Sequence, residues 1–135
     1  MLNPTERFIL RYENNPWVRG KHDCVLFIWK YTSEVHKKPF SDPDDYPFHD
    51  LKTAFRALKK ICSDNKVRTF EGILDKHYHR VDLPIDGGLV AKPDTEGLTG
   101  YTYGISYAGW GFFVGANGIQ QLELNPTTDL YWSIT

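Results

Sequence analysis

Cys24 has the strongest claim to chemistry in this chain. The run Gly20-Lys21-His22-Asp23-Cys24 puts a thiol at the first turn of an apolar stretch, beside a histidine and a lysine. A helix N-terminus and neighbouring positive charge both lower a thiol pKa and favour the nucleophilic thiolate. The same position also suits an ordinary buried cysteine at the start of a core helix, since free cysteine is among the most buried residue types. Cys62 falls in the apolar register at a helix end and reads as packing.

A cysteine nucleophile needs a base, normally a histidine held by a third polar group. Five histidines are available. His22 stands two residues from Cys24, where side chains on a helical path diverge, so it serves only if the turn folds back. His36 is expected at the C-terminal end of its own helix and His49 in a capping segment. His77 and His79 are the other candidate bases, with nothing in the sequence to place them. On a strand that His-x-His pair would share a face, but no third ligand follows at metal-site spacing, so neither metal nor cofactor is expected. Residues 109–115 are glycine-rich, yet they join strand to strand and open no helix, which fits turns and close strand packing better than a phosphate cradle.

The elements that must position Cys24 divide the chain in two. Residues 1–80 carry 15 Lys/Arg against 11 Asp/Glu and read as helical, while residues 81–135 carry 1 against 6 and read as strands and turns. Segregated halves predict one α+β domain over 1–135, with N-terminal helices packed on a C-terminal antiparallel sheet. Asn3-Pro4-Thr5-Glu6 has the capping-box pattern of a helix start. The central helix should begin at or just after Asp23, and Asp50 should cap a third helix with Leu51, Ala54, Phe55, Leu58, Ile61 and Cys62 on its buried face. A shorter helix is expected over 69–76, then strands over 80–83, 89–91, 101–107, 110–114, 119–124 and 130–134 in a meander. Trp17, Phe27, Ile28 and Trp132 are expected in or near the core.

Composition narrows the function classes. With 41% hydrophobic and 15% aromatic residues the chain should fold, and at 135 residues it is about one ordinary domain. The formal net charge of -1 offers no basic field for nucleic acid or anionic membranes. No stretch approaches the roughly 18 apolar residues of a membrane span, and the first residues lack the pattern of a secretory signal, so a cytosolic product is expected. Tyr101, Tyr103, Tyr107, Trp110 and Phe112 crowd the glycine-rich strands; they are either anchors of a protein interface or the filling of the sheet's inner face.

Trp17, Gly20, Asp23 and Cys24 form a Trp-x-x-Gly-x-x-Asp-Cys sequence, followed by Gly104-Ile105, by Gly115-x-x-Gly118-Ile119 and by a closing Trp132. This order resembles a group of small bacteriophage proteins of uncharacterised role that look like a divergent branch of the NlpC-type, papain-like cysteine peptidases. The resemblance implies a papain-like fold with Cys24 as the nucleophile position. In active NlpC-type hydrolases a histidine opens a strand of the form His-Val-Gly-Ile. Aligning Tyr103-Gly104-Ile105 with it puts Thr102 where the histidine belongs. The resemblance therefore implies a structural or assembly subunit of a phage virion, in the tail or tail tip. Such a subunit would be made in the host cytoplasm and would partner other virion proteins. The alternative it implies is an active cysteine hydrolase cleaving peptidoglycan peptides during phage entry.

Overall fold

Local capping chemistry starts each helix. A computed structural model describes residues 1–134; Thr135, the last residue of the expected domain, lies outside the described residues. Helix α1, Pro4–Arg11, begins with the Asn3 side chain accepting from the Glu6 amide while Glu6 accepts from the Asn3 amide. Helix α2, Cys24–Glu34, is capped by Asp23. Asp50 and Thr53 form a capping box on α3, Leu51–Asp64, and Thr69 caps α4, Phe70–His77. Each cap occupies an amide that the first helical turn leaves unpaired.

Six strands follow: β1 His79–Val81, β2 Gly88–Pro93, β3 Tyr101–Tyr107, β4 Trp110–Gly115, β5 Gly118–Glu123 and β6 Leu130–Ser133. All pair antiparallel, in the order β1-β6-β2-β3-β4-β5. The expected meander holds only from β2 to β5. After β5 the chain crosses back and β6 inserts between β1 and β2, pairing Trp132 with Arg80 on one side and Leu89 on the other. The insertion covers both edges that the apolar Leu89–Ala91 segment and Trp132 would otherwise expose.

Alternation along the strands separates two clusters. Leu89, Ala91, Tyr103, Ile105 and Trp132 face the helices and join Phe8, Phe27, Ile28, Ile73 and Leu74 in the main core. Val90, Phe113 and Tyr131 form a second cluster, bordered by Val81, Leu122 and Leu124. The Phe113 ring lies over Gly104 and Gly111, where added Cβ atoms would meet it at 2.7 Å and 2.5 Å. Those two glycines therefore serve close strand packing. Helix α2, apolar on nearly all sides, packs against β3 and is the buried centre of the fold.

Three expectations about packing need correction. Trp17 is 40% exposed rather than in the core. On α3 only Ala54, Ile61 and Cys62 are buried, whereas Leu51 and Phe55 are each 53% exposed. The proposed interface aromatics mostly turn inward: Tyr103 is fully buried, and Tyr101, Tyr107 and Phe112 pack against the helix-side core. Of that group only Trp110, at the end of the β3–β4 hairpin, is exposed. Strict alternation along β3 puts Tyr101, Tyr103 and Tyr107 on the helix side, so the inner-face alternative is the one observed.

Candidate functional site

The segment before Cys24 is a small hairpin that delivers the thiol to the sheet. Val18 and His22 exchange backbone hydrogen bonds of 2.8 and 2.7 Å, and the Lys21 amide closes the turn on the Val18 carbonyl. Gly20 sits at φ +78°, where a side chain would also collide with the Phe48 carbonyl. Only glycine suits both demands. Asp23 holds the hairpin to the helix, one carboxylate oxygen accepting from the Gly20 amide at 2.8 Å and the other from the Leu26 amide at 2.9 Å. Trp17, whose amide is fixed to the Gly115 carbonyl at 2.9 Å, stands outside with Arg19 stacked 5.0 Å from its ring centroid.

Cys24 lies in a cleft of about 260 Å³ between this hairpin, the start of β3 and the turn at residues 94–100. Trp17, Arg19, Cys24, Asp94, Glu96 and Thr102 are among the residues that line it. The turn is braced internally: the Asp94 amide donates to the Gly100 carbonyl, the Gly97 amide to the Asp94 carbonyl, and the Glu96 amide to the Asp94 side chain. Asp94 and Glu96 could not be assigned to the site from sequence, because only the β2–β3 pairing carries their turn to Cys24.

Burial dominates the thiol. It pushes the Cys24 pKa from 9.0 to about 11; the Tyr103 amide opposes, Asp23 raises it further, and the Thr102 hydroxyl and Val25 amide lower it. Of the two readings of Cys24, the buried cysteine at the start of a core helix is the one that fits. Lys21 is exposed, and Asp23 is the charged group that acts on the sulfur. Donors face the sulfur, but Thr102 is no proton acceptor at neutral pH. At pH 7 the thiol stays protonated.

None of the five histidines lines this cleft among the described residues. His22 does not turn toward Cys24. Its ring stacks on Tyr12 with centroids 5.2 Å apart and meets Phe27 edge-on, and neither buried nitrogen has a hydrogen-bond partner. Burial, with Lys30 adding to it and Asp23 opposing, lowers its pKa. His36 bonds to the Tyr31 hydroxyl and the Gly87 carbonyl rather than to its own helix end. His49 is exposed beside Asp50; His77 is exposed and reaches Asn65 at 3.4 Å; His79 is exposed at the start of β1. No group of three or more potential metal ligands occurs among the described residues. Among the described residues no helix is long and apolar enough to cross a membrane.

A second buried polar group lies close by. Tyr103 donates a hydrogen bond to Glu71, a buried carboxylate on α4, and shares a 2.6 Å hydrogen bond with Thr99. Burial, followed by the Glu71 charge, holds the Tyr103 phenol far above its ordinary range. This network ties α4 to β3 and to the turn above the cleft. Comparison with family models, with curated proteins and with solved structures finds no match for the chain.

Proposed function

We propose that the protein acts by contact rather than by turnover, as a structural or assembly subunit of a bacteriophage virion, in the tail or tail tip. In this reading it is built on a degenerate NlpC-like, papain-like fold. One observation supports the loss of catalysis: Cys24 opens α2 in a cleft that no histidine among the described residues lines, and burial holds its thiol protonated. A missing general base alone costs roughly 10²–10⁴-fold. The phage assignment rests on the Trp17, Gly20, Asp23, Cys24 pattern and its later glycines. The helix-then-sheet order is compatible with it.

The cleft itself favours the alternative reading, a cysteine hydrolase of peptidoglycan peptides, because it leads to the sulfur and has donors beside it. Phage carrying Cys24→Ala separates the two when particle assembly and infectivity are both measured and purified protein is assayed on peptidoglycan. Normal assembly and infectivity, with the protein present in purified particles, is the expected result. Intact particles with lost infectivity, together with Cys24-dependent cleavage, would overturn the structural reading.

A further inference from the structure

Two exposed surfaces of this chain complement each other in charge and in apolar content. The first is the outer flank of α3. Leu51 and Phe55, one helical turn apart and each 53% exposed, are neighbours on the surface. Exposed Lys59 and Lys52 flank them on one side of the helix with Arg56 beyond, and none of the three joins a salt bridge among the described residues; Lys60 turns away to the Asp45 carbonyl and the Tyr46 ring. The second is the loop at residues 82–86, Asp-Leu-Pro-Ile-Asp, between β1 and β2. Leu83 is 64% and Ile85 42% exposed, with exposed Asp82 and Asp86 on either side. Pro84 restricts the loop, and its C-terminal half is pinned. The Ile85 carbonyl accepts from the Gly88 amide and the Ser106 hydroxyl, and the Asp86 carboxylate from the Ala108 amide. A loop already held in shape loses little freedom on binding.

The two surfaces sit at opposite ends of α2. The start of α3 is fixed at the Cys24 end, where Phe48 and His49 press on Gly20. The loop ends at Gly87, whose carbonyl accepts from Tyr31 at 2.6 Å near the other end. Cys24 and Tyr31 stand seven residues apart on α2, about 10 Å along its axis. Both surfaces stay exposed in the folded chain, so one copy does not join its own loop to its own α3. We propose that the 82–86 loop of one copy docks on the α3 flank of another, Leu83 and Ile85 against Leu51 and Phe55, with the aspartates among the Lys and Arg side chains. Such a head-to-tail contact closes as a reciprocal dimer or a ring, or grows as a filament. The contact is small and its charges are exposed, so association is concentration-dependent and weakens with salt. It requires only these two surfaces and holds whether or not the protein is a virion subunit.

Sedimentation of two double variants tests the pairing. Phe55→Ala with Lys59→Glu removes the helix surface, and Asp82→Lys with Leu83→Ala removes the loop. All four positions are exposed, and unchanged circular dichroism and melting confirm folding. The wild-type chain is expected to self-associate at high concentration in low salt and to dissociate in high salt. Each variant alone stays monomeric, and a mixture of the two forms one-to-one complexes, because each supplies the surface the other lacks. A wild-type chain that stays monomeric, a loop variant that assembles like wild type, or a mixture that stays monomeric would each overturn the proposal.

Discussion

The pH profile of Cys24 alkylation reads the state of the cleft directly. Raising the thiol pKa from 9.0 to about 11 cuts the thiolate fraction at pH 8 from roughly 9% to roughly 0.1%, about a 90-fold loss. A more basic thiolate is also a better nucleophile, and a Brønsted slope of about 0.4–0.5 returns roughly 6- to 10-fold. The net expectation is iodoacetamide labelling of Cys24 about 10-fold slower than a free thiol at pH 8. The rate should climb nearly tenfold per pH unit up to pH 10 without a plateau. Peptide mass spectrometry separates Cys24 from Cys62, whose thiol burial also raises. Thr102→Val should slow Cys24 further, because the lost hydroxyl is one of the groups that lower its pKa. An activated cysteine paired with a histidine behaves oppositely, since its thiolate is already formed in mild acid and its rate is flat through neutrality. A flat profile between pH 6 and 8 would refute the protonated thiol and return the protein to the hydrolases.

His22→Phe should stabilise the fold at pH 7 by about 1 kcal/mol in urea unfolding, because it removes two buried nitrogens that have no partners. The same change should flatten the acid limb: the fold keeps His22 neutral while the unfolded chain takes up a proton, so its stability contribution falls as pH drops through 6.5 toward the lowered folded value. Equal acid limbs in both proteins would disprove this assignment. Tyr103→Phe should cost about 2–4 kcal/mol, because Glu71 loses its phenolic donor while remaining buried, and Glu71→Gln should cost less because it carries no charge to strand. The reverse order of the two costs would contradict the network.

Local chemistry was the legible part of this fold. The caps at Asn3, Asp23, Asp50 and Thr69 are short-range devices, and each starts its helix where side-chain type predicts. Strand β3 matches its expected bounds, because alternation and the flanking glycines are properties of the segment alone. Partner choice is not such a property. Nothing within residues 130–133 says that they pair with both β1 and β2, so the insertion of β6 was not readable. At the site, the lysine and the helix start near Cys24 suggested a lowered pKa, but Lys21 is exposed and burial against β3 and the turn at residues 94–100 outweighs the Val25 amide at the helix start. Burial depends on elements some 70 residues further along the chain, so a reading of residues 20–24 could not weigh it.

The aromatic content, which suggested an interface, is absorbed by the core in a continuous path. Tyr46 stacks on Trp29, Trp29 on Phe40 at 4.6 Å, Phe40 meets Phe70 edge-on, and Phe70 packs on Tyr103 at 4.9 Å. That path ties the loop before α3 to α2, α4 and β3, so truncating one of its rings would loosen several elements together. Rings used this way are not free to anchor a partner. The exposed apolar groups lie elsewhere and include Trp17 beside the Cys24 cleft, Trp110 on the β3–β4 hairpin, Leu51 and Phe55 on a basic helix, and Leu83 and Ile85 in an acidic loop. The +4 and -5 formal charges of the two parts of the chain thus have a spatial expression on that helix and in that loop. Charge of this kind sets which surfaces meet and how fast more than how tightly they hold. Specific, reversible contact between copies is what such a distribution favours, and a catalytic thiol is not needed for it.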